Sequence, residues 1–238
     1  MNKITLKPPA LLSGLLRDLS GLLYPVSCLV CGDRQPDDTY LCDHCLHYAF
    51  EPANPEELES CEGLILPDHI RMQDSLWEFD KGGFLQDVLH QIKYGGLAEL
   101  GLTLGRHLGH RLSRNRWIEV SADLLLLPVP LHPSRERKRG YNQSRLIARG
   151  MAKVTRAEVA PERALVRRRY TRTQTGLNAA QRKRNLEGAF EIRDAAIFRN
   201  RHAVIVDDVI TTGATALAVA NRIRQHVQSV SVATIARA

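Results

Sequence analysis

A chain of 238 residues, 44% of them hydrophobic, can bury a sizeable core, and neither a low-complexity segment nor an internal repeat interrupts it. The net charge of +7 hides an asymmetry, because residues 1–80 carry 5 Lys and Arg against 14 Asp and Glu, whereas residues 135–184 carry 16 against 3. Such a basic block can meet polyphosphate, nucleic acid or the acidic amino-terminal part of the chain, or it can be a solvated face. Only 5% of residues are aromatic, so platforms for base stacking are sparse.

Residues 11–23 (LLSGLLRDLSGLL) are rich in leucine but too short to cross a bilayer, and Arg17 and Asp18 interrupt them. No small-residue cleavage pattern follows, so we predict no signal peptide and expect a cytoplasmic protein. An amphipathic helix that docks on the body of the protein accounts for this segment. A helix that binds a partner or a membrane surface is the alternative.

Four cysteines follow in two pairs, Cys28-x-x-Cys31 and Cys42-x-x-Cys45. Two such pairs can place four thiolates around one tetrahedral Zn²⁺, although the ten residues between them are fewer than a zinc ribbon usually has. Disulfides are disfavoured because nothing exports the chain to an oxidising compartment, and free thiols are the other alternative. The spacing therefore predicts a structural zinc module.

The rest of the chain alternates strand and helix patterns. Residues 84–112 have apolar side chains at helical spacing, with a break at Gly95-Gly96. Further patterns predict strands near 124–127, 163–166, 189–192, 203–206 and 229–235, and helices over 143–155 and 213–226. Residues 170–185 lack clean periodicity and are expected to form a long mobile loop. This order predicts an α/β fold with a doubly wound parallel sheet, over residues 61–238, after an amino-terminal module over residues 1–60.

The most informative segment begins with the apolar run 203–206, which is typical of a strand buried on both faces of a parallel sheet. Ligands bind outside the carboxyl ends of such strands, so Asp207 and Asp208 are expected to meet a ligand. Residues 211–215 (TTGAT) supply hydroxyls, a glycine and the N–H groups of a helix start, which together can hold a phosphate. The carboxylates can accept hydrogen bonds from ribose hydroxyls or hold Mg²⁺ through its waters. An acidic turn with ordinary capping threonines is the alternative.

This segment resembles the signature by which type I phosphoribosyltransferases bind PRPP (5-phosphoribosyl 1-diphosphate). The resemblance implies that Asp207 and Asp208 contact the ribose diol. It implies that the 5′-phosphate is bound by Thr211, Thr212, Gly213, Ala214 and Thr215. It also implies a hood, drawn from residues 61–120, over a core of residues 121–238.

Together with the four cysteines, further motifs resemble the ComF family, phosphoribosyltransferase-like proteins associated with natural competence and the use of external DNA in bacteria. The motifs are IKYGG (92–96), PVPL (128–131), RGYNQS (139–144), QTGL (174–177), RKRNLEGAF (182–190) and the acid-pair loop. Their order spans most of residues 28–238. The same resemblance extends to the amino-terminal zinc module, which in this family precedes the phosphoribosyltransferase-like domain.

The resemblance assigns roles to two further segments. Residues 131–144 would form a pyrophosphate loop in which Arg135, Arg137 and Arg139 bind phosphate oxygens. Residues 168–185 would form a flexible loop that closes over the site, with the polar side chains Arg172, Gln174, Arg182 and Arg184. A surface charge is the alternative for Arg139, and Lys93 is either a phosphate contact or an exposed helix lysine.

The function that the resemblance implies is the binding of PRPP with Mg²⁺ and the displacement of its pyrophosphate by an unknown nitrogen acceptor. No side chain among these residues is an obvious general base. The alternative is a non-catalytic accessory protein of DNA uptake, which binds single-stranded DNA or a protein of DNA uptake or recombination. The sequence leaves open whether the chain forms a homodimer.

Overall fold

The computed structural model describes residues 26–35, 39–54, 70–115, 123–169, 186 and 188–238. The chain forms two compact units, residues 1–49 and residues 50–238. Three predictions lie outside the described residues: the helix at 11–23, the boundary at residue 60, and the flexible-loop side chains Arg172, Gln174, Arg182 and Arg184. Within the described part of the chain, no helix is both long enough and apolar enough to span a membrane.

The described part of the first unit is built from the two cysteine pairs. After the first pair, Gly32 adopts a left-handed φ of 80°, and a bridge between Ser27 and Arg34 closes the turn. The second pair runs into helix α1 (Asp43–Tyr48), which is capped by the sulfur of Cys42. A tight turn after the first pair and the start of a helix at the second pair thus bring the four cysteines together.

The second unit has a central sheet with helices packed on it. Its strands are β1 (Ile70–Glu78), β2 (Leu124–Pro128), β3 (Glu158–Val159), β4 (Leu165–Arg167), β5 (Phe190–Ile192), β6 (His202–Ile210) and β7 (Ser229–Arg237). Its helices are α2 (Phe84–Tyr94), α3 (Ala98–Asn115), α4 (Pro133–Arg139), α5 (Gln143–Thr155) and α6 (Ala214–Ile223), with a 3-10 helix at Ala195–Phe198. The sheet order is β1-β7-β6-β2-β3 and every pair is parallel, whereas β4 and β5 form a separate antiparallel pair. The predicted α/β class with a parallel sheet is confirmed.

Strand β1 was not predicted, and it falls within residues 61–120, for which the sequence predicted a hood. It pairs with β7 at the edge of the central sheet. Its sequence lacks an apolar run because polar side chains are buried in its middle, two of them with partners of their own. Ser75 shares a hydrogen bond of 2.6 Å with Thr234, and Arg111 donates to Asp74 at 2.8 Å.

Two local expectations need correction. The residues that were expected to form an open loop after β2 form the short helix α4, which His132 caps and which Gly140 ends with a left-handed φ of 88°. Strand β6 does not stop before the acid pair but continues to Ile210, where it still pairs with β7. The acid pair is therefore held by a hydrogen-bonded ladder rather than by a turn.

Helices α3 and α5 cross at very short distance because glycines line the contact. A Cβ on Gly150 would lie 2.2 Å from the carbonyl oxygen of Leu102, and one on Gly105 would lie 2.1 Å from that of Ile147. Such distances exclude any side chain without a shift of the backbone. Because α5 also packs on β6, this contact fixes the start of α5 near the acid pair.

Candidate functional site

The acid pair lies near the carboxyl end of β6, where adjacent side chains point in opposite directions. The Ser144 hydroxyl, on the first turn of α5, donates to Asp207 Oδ1 at 2.8 Å. The backbone N–H of Asp208 donates to the same oxygen at 2.9 Å. On the other side, the Asp208 carboxylate forms an ion pair with Lys93 at the end of α2. Each carboxylate therefore has its own structural partner.

The two carboxyl groups differ in charge. Burial, with the neighbouring charge of Asp208, raises the pKa of Asp207 to about 7. Burial would raise the pKa of Asp208 as well, but the Lys93 ammonium outweighs it and holds this pKa below its ordinary value. Burial lowers the pKa of Lys93, and Asp208 raises it by more. Near neutral pH the pair thus carries less than two negative charges, and one of them is balanced by Lys93.

The loop after β6 closes a cavity of about 40 Å³. Gly213 has a left-handed φ of 69° and begins helix α6. Five of the predicted residues are part of the cavity wall, namely Asp207, Thr211, Gly213, Ala214 and Thr215. Asp208 faces Lys93 instead, and the Thr212 hydroxyl is buried outside this lining. Of the seven predicted residues, five thus line the cavity, and Asp208 and Thr212 do not.

Helix α4 divides the three predicted arginines. Arg135 and Arg139 are four residues apart and share one helix face, whereas Arg137 is exposed. The Arg139 guanidinium donates to the Gln143 side chain, and its charge helps to lower the pKa of Asp208. The helix therefore directs Arg139, but not Arg137, toward the acid pair.

Arg167 belongs to this region and was missed by the sequence. It is the last residue of β4, and its side chain is buried. Burial and the charge of Arg135 lower the pKa of Arg167 to about 10, and the charge of Asp207 partly offsets this lowering. It also lines a cavity of about 110 Å³ with Asn142 and Arg145. In the sequence, Arg167 is marked only as the first of three consecutive arginines. No periodicity distinguishes it from the other two.

The last turn of α2 contacts both the acid pair and the end of helix α4. Its three residues meet three different partners: the Ile92 carbonyl accepts from the Tyr141 hydroxyl at 2.6 Å, Lys93 pairs with Asp208, and the Tyr94 ring lies 5.4 Å from the Arg139 guanidinium carbon. The sequence had left the role of Lys93 open. The structure places it against the acid pair, so it is not a freely exposed lysine.

The four cysteines form a second centre, in the first unit. All four sulfurs lie within 4.8 Å of one another, and those of Cys31 and Cys42 are 3.8 Å apart. Zn–S bonds of about 2.3 Å in a tetrahedron separate the sulfurs by about 3.8 Å. Burial raises the pKa of the Cys28 thiol, but backbone N–H groups lower it by more, to about 6. The cluster fits a structural zinc ion, and it is the only group of three or more His, Cys, Asp or Glu in the described residues that does.

No family model matches the chain. Among curated proteins, it is 32% identical to DNA utilization protein YhgH of Escherichia coli (strain K12) over 194 residues, which cover 81% of this chain and 82% of that protein. The protein of the same name from Shigella flexneri gives the same identity and coverage. Competence protein F of Haemophilus influenzae is 35% identical over 119 residues, 48% of this chain and 50% of that protein.

Among solved structures, one described as the allosteric regulatory enzyme of purine biosynthesis aligns with a TM-score of 0.37 and 22% identity. The alignment covers 56% of this chain and only 25% of that one. The family is shown by the two YhgH proteins, which are 32% identical to this chain over most of both chains, and the four-cysteine cluster agrees with it. The chain belongs to the ComF family, together with DNA utilization protein YhgH and Competence protein F.

Proposed function

We propose that the chain binds PRPP at the carboxyl end of β6 and transfers its phosphoribosyl group to an acceptor. The observation that carries this proposal is the shared cavity of Asp207 and the threonine loop. An oxygen acceptor for ribose hydroxyls and the hydroxyls of Thr211 and Thr215 line one small space, which suits the two ends of a ribose 5-phosphate. Asp208 would act from the other side of the strand, with its charge already balanced by Lys93.

The basic side chains near the acid pair support the pyrophosphate part of the proposal. Arg139 lies beside the acid pair, and Arg135 is near the buried Arg167. Guanidinium groups in such positions bind phosphate oxygens and stabilise the charge that grows on pyrophosphate as its bond to the anomeric carbon breaks. Arg137 is exposed and is not needed for this role.

Magnesium would enter with PRPP rather than wait at the acid pair. Asp208 is paired with Lys93, and burial raises the pKa of Asp207 to about 7, so the acid pair offers little uncompensated negative charge to a divalent ion. Diphosphate oxygens are ordinary ligands of Mg²⁺, which keeps several of its waters. The metal would then offset negative charge on the pyrophosphate.

A second candidate function is a non-catalytic one in the use of DNA. The printed names of the relatives refer to DNA utilization and competence, and we propose the same association here. The exposed Arg137 and Lys138 on α4 extend the basic surface away from the cavity. In this role the chain would bind single-stranded DNA, with steeply salt-dependent affinity, or a protein of DNA uptake or recombination. Its cytoplasmic location and a homodimer stay predictions.

The test is a calorimetric titration of PRPP with Mg²⁺ into the full chain. We expect saturable binding that is lost or strongly weakened in Asp207→Asn and Asp208→Asn. Asp123→Asn is the matched control, because Asp123 is exposed just before β2, at the opposite end of the strands. Absence of binding to the folded wild-type chain, or equal binding by all three variants, would overturn the proposal.

A further inference from the structure

The four paired cysteines of the first unit differ in how much of each side chain water can reach. Cys28 and Cys45 are buried, each with 3% relative exposure, whereas Cys31 is exposed and Cys42 is partly buried. The turn that follows Cys31 is open as well, because residues 32–34 are exposed. A small solute can therefore meet the Cys31 side chain directly, while Cys28 and Cys45 are shielded from it.

The exposed cysteine has a second thiol within short reach. The sulfurs of Cys31 and Cys42 are 3.8 Å apart. A disulfide bond is about 2.05 Å long, so the two atoms must approach by about 1.8 Å, which lies within the range of side-chain rotation. Cys42 stands at the start of helix α1, where its sulfur accepts from the Cys45 N–H at 3.4 Å. The helix start thus holds this thiol beside the exposed one.

We propose that Cys31 and Cys42 are the oxidisable pair of this module, and that a hydroperoxide converts them into a disulfide and releases the zinc ion that the cluster fits. The reaction involves neither PRPP nor the proposed transfer. Thiolates that are exposed and lie beside a second cysteine are the usual targets of peroxides. In a reducing compartment such a disulfide is transient, so the change is reversible.

The reaction balances with one hydroperoxide for each chain. The Cys31 thiolate attacks one oxygen of hydrogen peroxide, the O–O bond breaks, and the other oxygen leaves as hydroxide and takes up a proton. Cys31 is then a sulfenic acid. The Cys42 thiolate attacks its sulfur, the S–S bond forms, and a second hydroxide leaves and takes up a proton. Two thiolates together lose one electron pair, and the peroxide is reduced to two waters.

Oxidation of this pair should loosen the first unit. Two of the four thiolate ligands would be consumed, and the remaining two cannot complete a tetrahedral site. In the described residues of this unit, the buried apolar side chains besides Cys28 and Cys45 are only Leu41 and Leu46. So small a core gives little stability without a metal. A peroxide would thereby cause a local change of structure.

The test exposes the full, zinc-loaded chain to a small excess of hydrogen peroxide. A colorimetric chelator follows zinc release, and the remaining thiols are alkylated after denaturation and located by tandem mass spectrometry. We expect one disulfide and the release of about one equivalent of zinc per chain. Alkyl groups should be found on Cys28 and Cys45 but not on Cys31 or Cys42. A thiol reductant with added zinc should reverse both changes.

Cys31→His is the informative variant, because histidine can replace one cysteine as a zinc ligand and offers no thiol to the peroxide. The exposed position leaves room for its ring. We expect this variant to hold zinc and to release it at least about tenfold more slowly under peroxide, since oxidation follows the exposure of the thiolate. Cys61→Ser is the matched control and should react as the wild-type chain does.

Several outcomes would overturn the proposal. One is a disulfide that includes Cys28, Cys45 or Cys61. Another is zinc that stays bound, with every thiol reduced, after peroxide treatment. Release from Cys31→His as fast as from the wild-type chain is a third. If Cys31→His fails to fold, the pairing of Cys31 with Cys42 is still decided by the disulfide found in the wild-type chain.

Discussion

The Lys93 ammonium forms an ion pair with the Asp208 carboxylate, which joins the last turn of α2 to the carboxyl end of β6. The side chain of Asp208 is only 9% exposed and that of Lys93 28% exposed, so both charges are largely withdrawn from water. Two charges in such a setting depend on each other, because removal of one leaves the other buried without compensation. The pair therefore couples the stability of this end of the sheet to the charge of the proposed site.

Replacement of Lys93 by Met should destabilise the protein by roughly 2–3 kcal/mol at neutral pH, because the buried Asp208 loses its counter-ion. Urea denaturation measures the change. Lys153→Met, at an exposed position on α5, is the control and should have little effect. The double variant Lys93→Met with Asp208→Asn should regain most of the loss. A single variant as stable as wild type would show that the ion pair contributes nothing.

The pH dependence of stability should change in Asp207→Asn. In the folded protein the pKa of Asp207 is raised from its ordinary 3.8 to about 7. The stability that the protonated side chain contributes is therefore fully present below pH 4 and is lost as the pH rises through about 7. Asparagine keeps an Oδ1 that can accept from Ser144 but carries no charge. We expect the variant to be more stable than wild type at pH 8, by more than the roughly 1 kcal/mol of a single pKa unit, and to lose this advantage at pH 4. Parallel stability curves across this range would contradict the assignment.

The two faces of α4 should differ in PRPP binding. Arg135→Ala removes a guanidinium from the inner face and should weaken binding by about 10- to 100-fold, the worth of one charge-assisted hydrogen bond. Arg137→Ala removes the same charge from the exposed face and should change affinity little beyond the long-range effect of charge. Titrations at two salt concentrations separate these effects. Equal losses in the two variants would mean that only net charge matters.

Gly150→Ala should destabilise the protein although alanine is the better helix former. The added methyl group would meet the Leu102 carbonyl at 2.2 Å and force α3 and α5 apart. Overpacking of this kind costs about 1–3 kcal/mol, which a lower melting temperature would report. Arg149→Ala, at the neighbouring exposed position, serves as the control. An unchanged or higher melting temperature in Gly150→Ala would argue against the close contact.

Zinc content should depend on the four paired cysteines and not on Cys61, the fifth cysteine of the chain. The purified chain should hold about one equivalent of zinc under reducing conditions, and Cys45→Ser should lose it because the buried thiolate is one of four ligands. Cys61→Ser is the matched control and should keep the metal. Proteolysis of residues 1–49 should become faster in the first variant only. Full zinc content in Cys45→Ser would exclude the four-thiolate site.

Local patterns were sufficient for much of the fold. Helix α5 begins and ends where its periodicity predicted, and the break between α2 and α3 lies at the predicted glycines. Strand β1 was not predicted because Gln73, Asp74 and Ser75 are polar and yet buried together, so the strand has no apolar run. The full length of β6 was not predicted either. Local composition would end the strand at the acid pair, but pairing with β7 extends it to Ile210.

The sequence by itself determined the residue types of the candidate site wherever they are consecutive: the acid pair with its threonine loop, and the paired cysteines. These depend on neighbours in the chain, whose geometry is set by one strand end or one tight turn. Only the tertiary structure decided that Lys93 pairs with Asp208, that Ser144 holds Asp207, and that Arg135 rather than Arg137 lies near Arg167. Those contacts depend on strand order and on which helix face is buried, and both are settled by long-range packing rather than by local sequence.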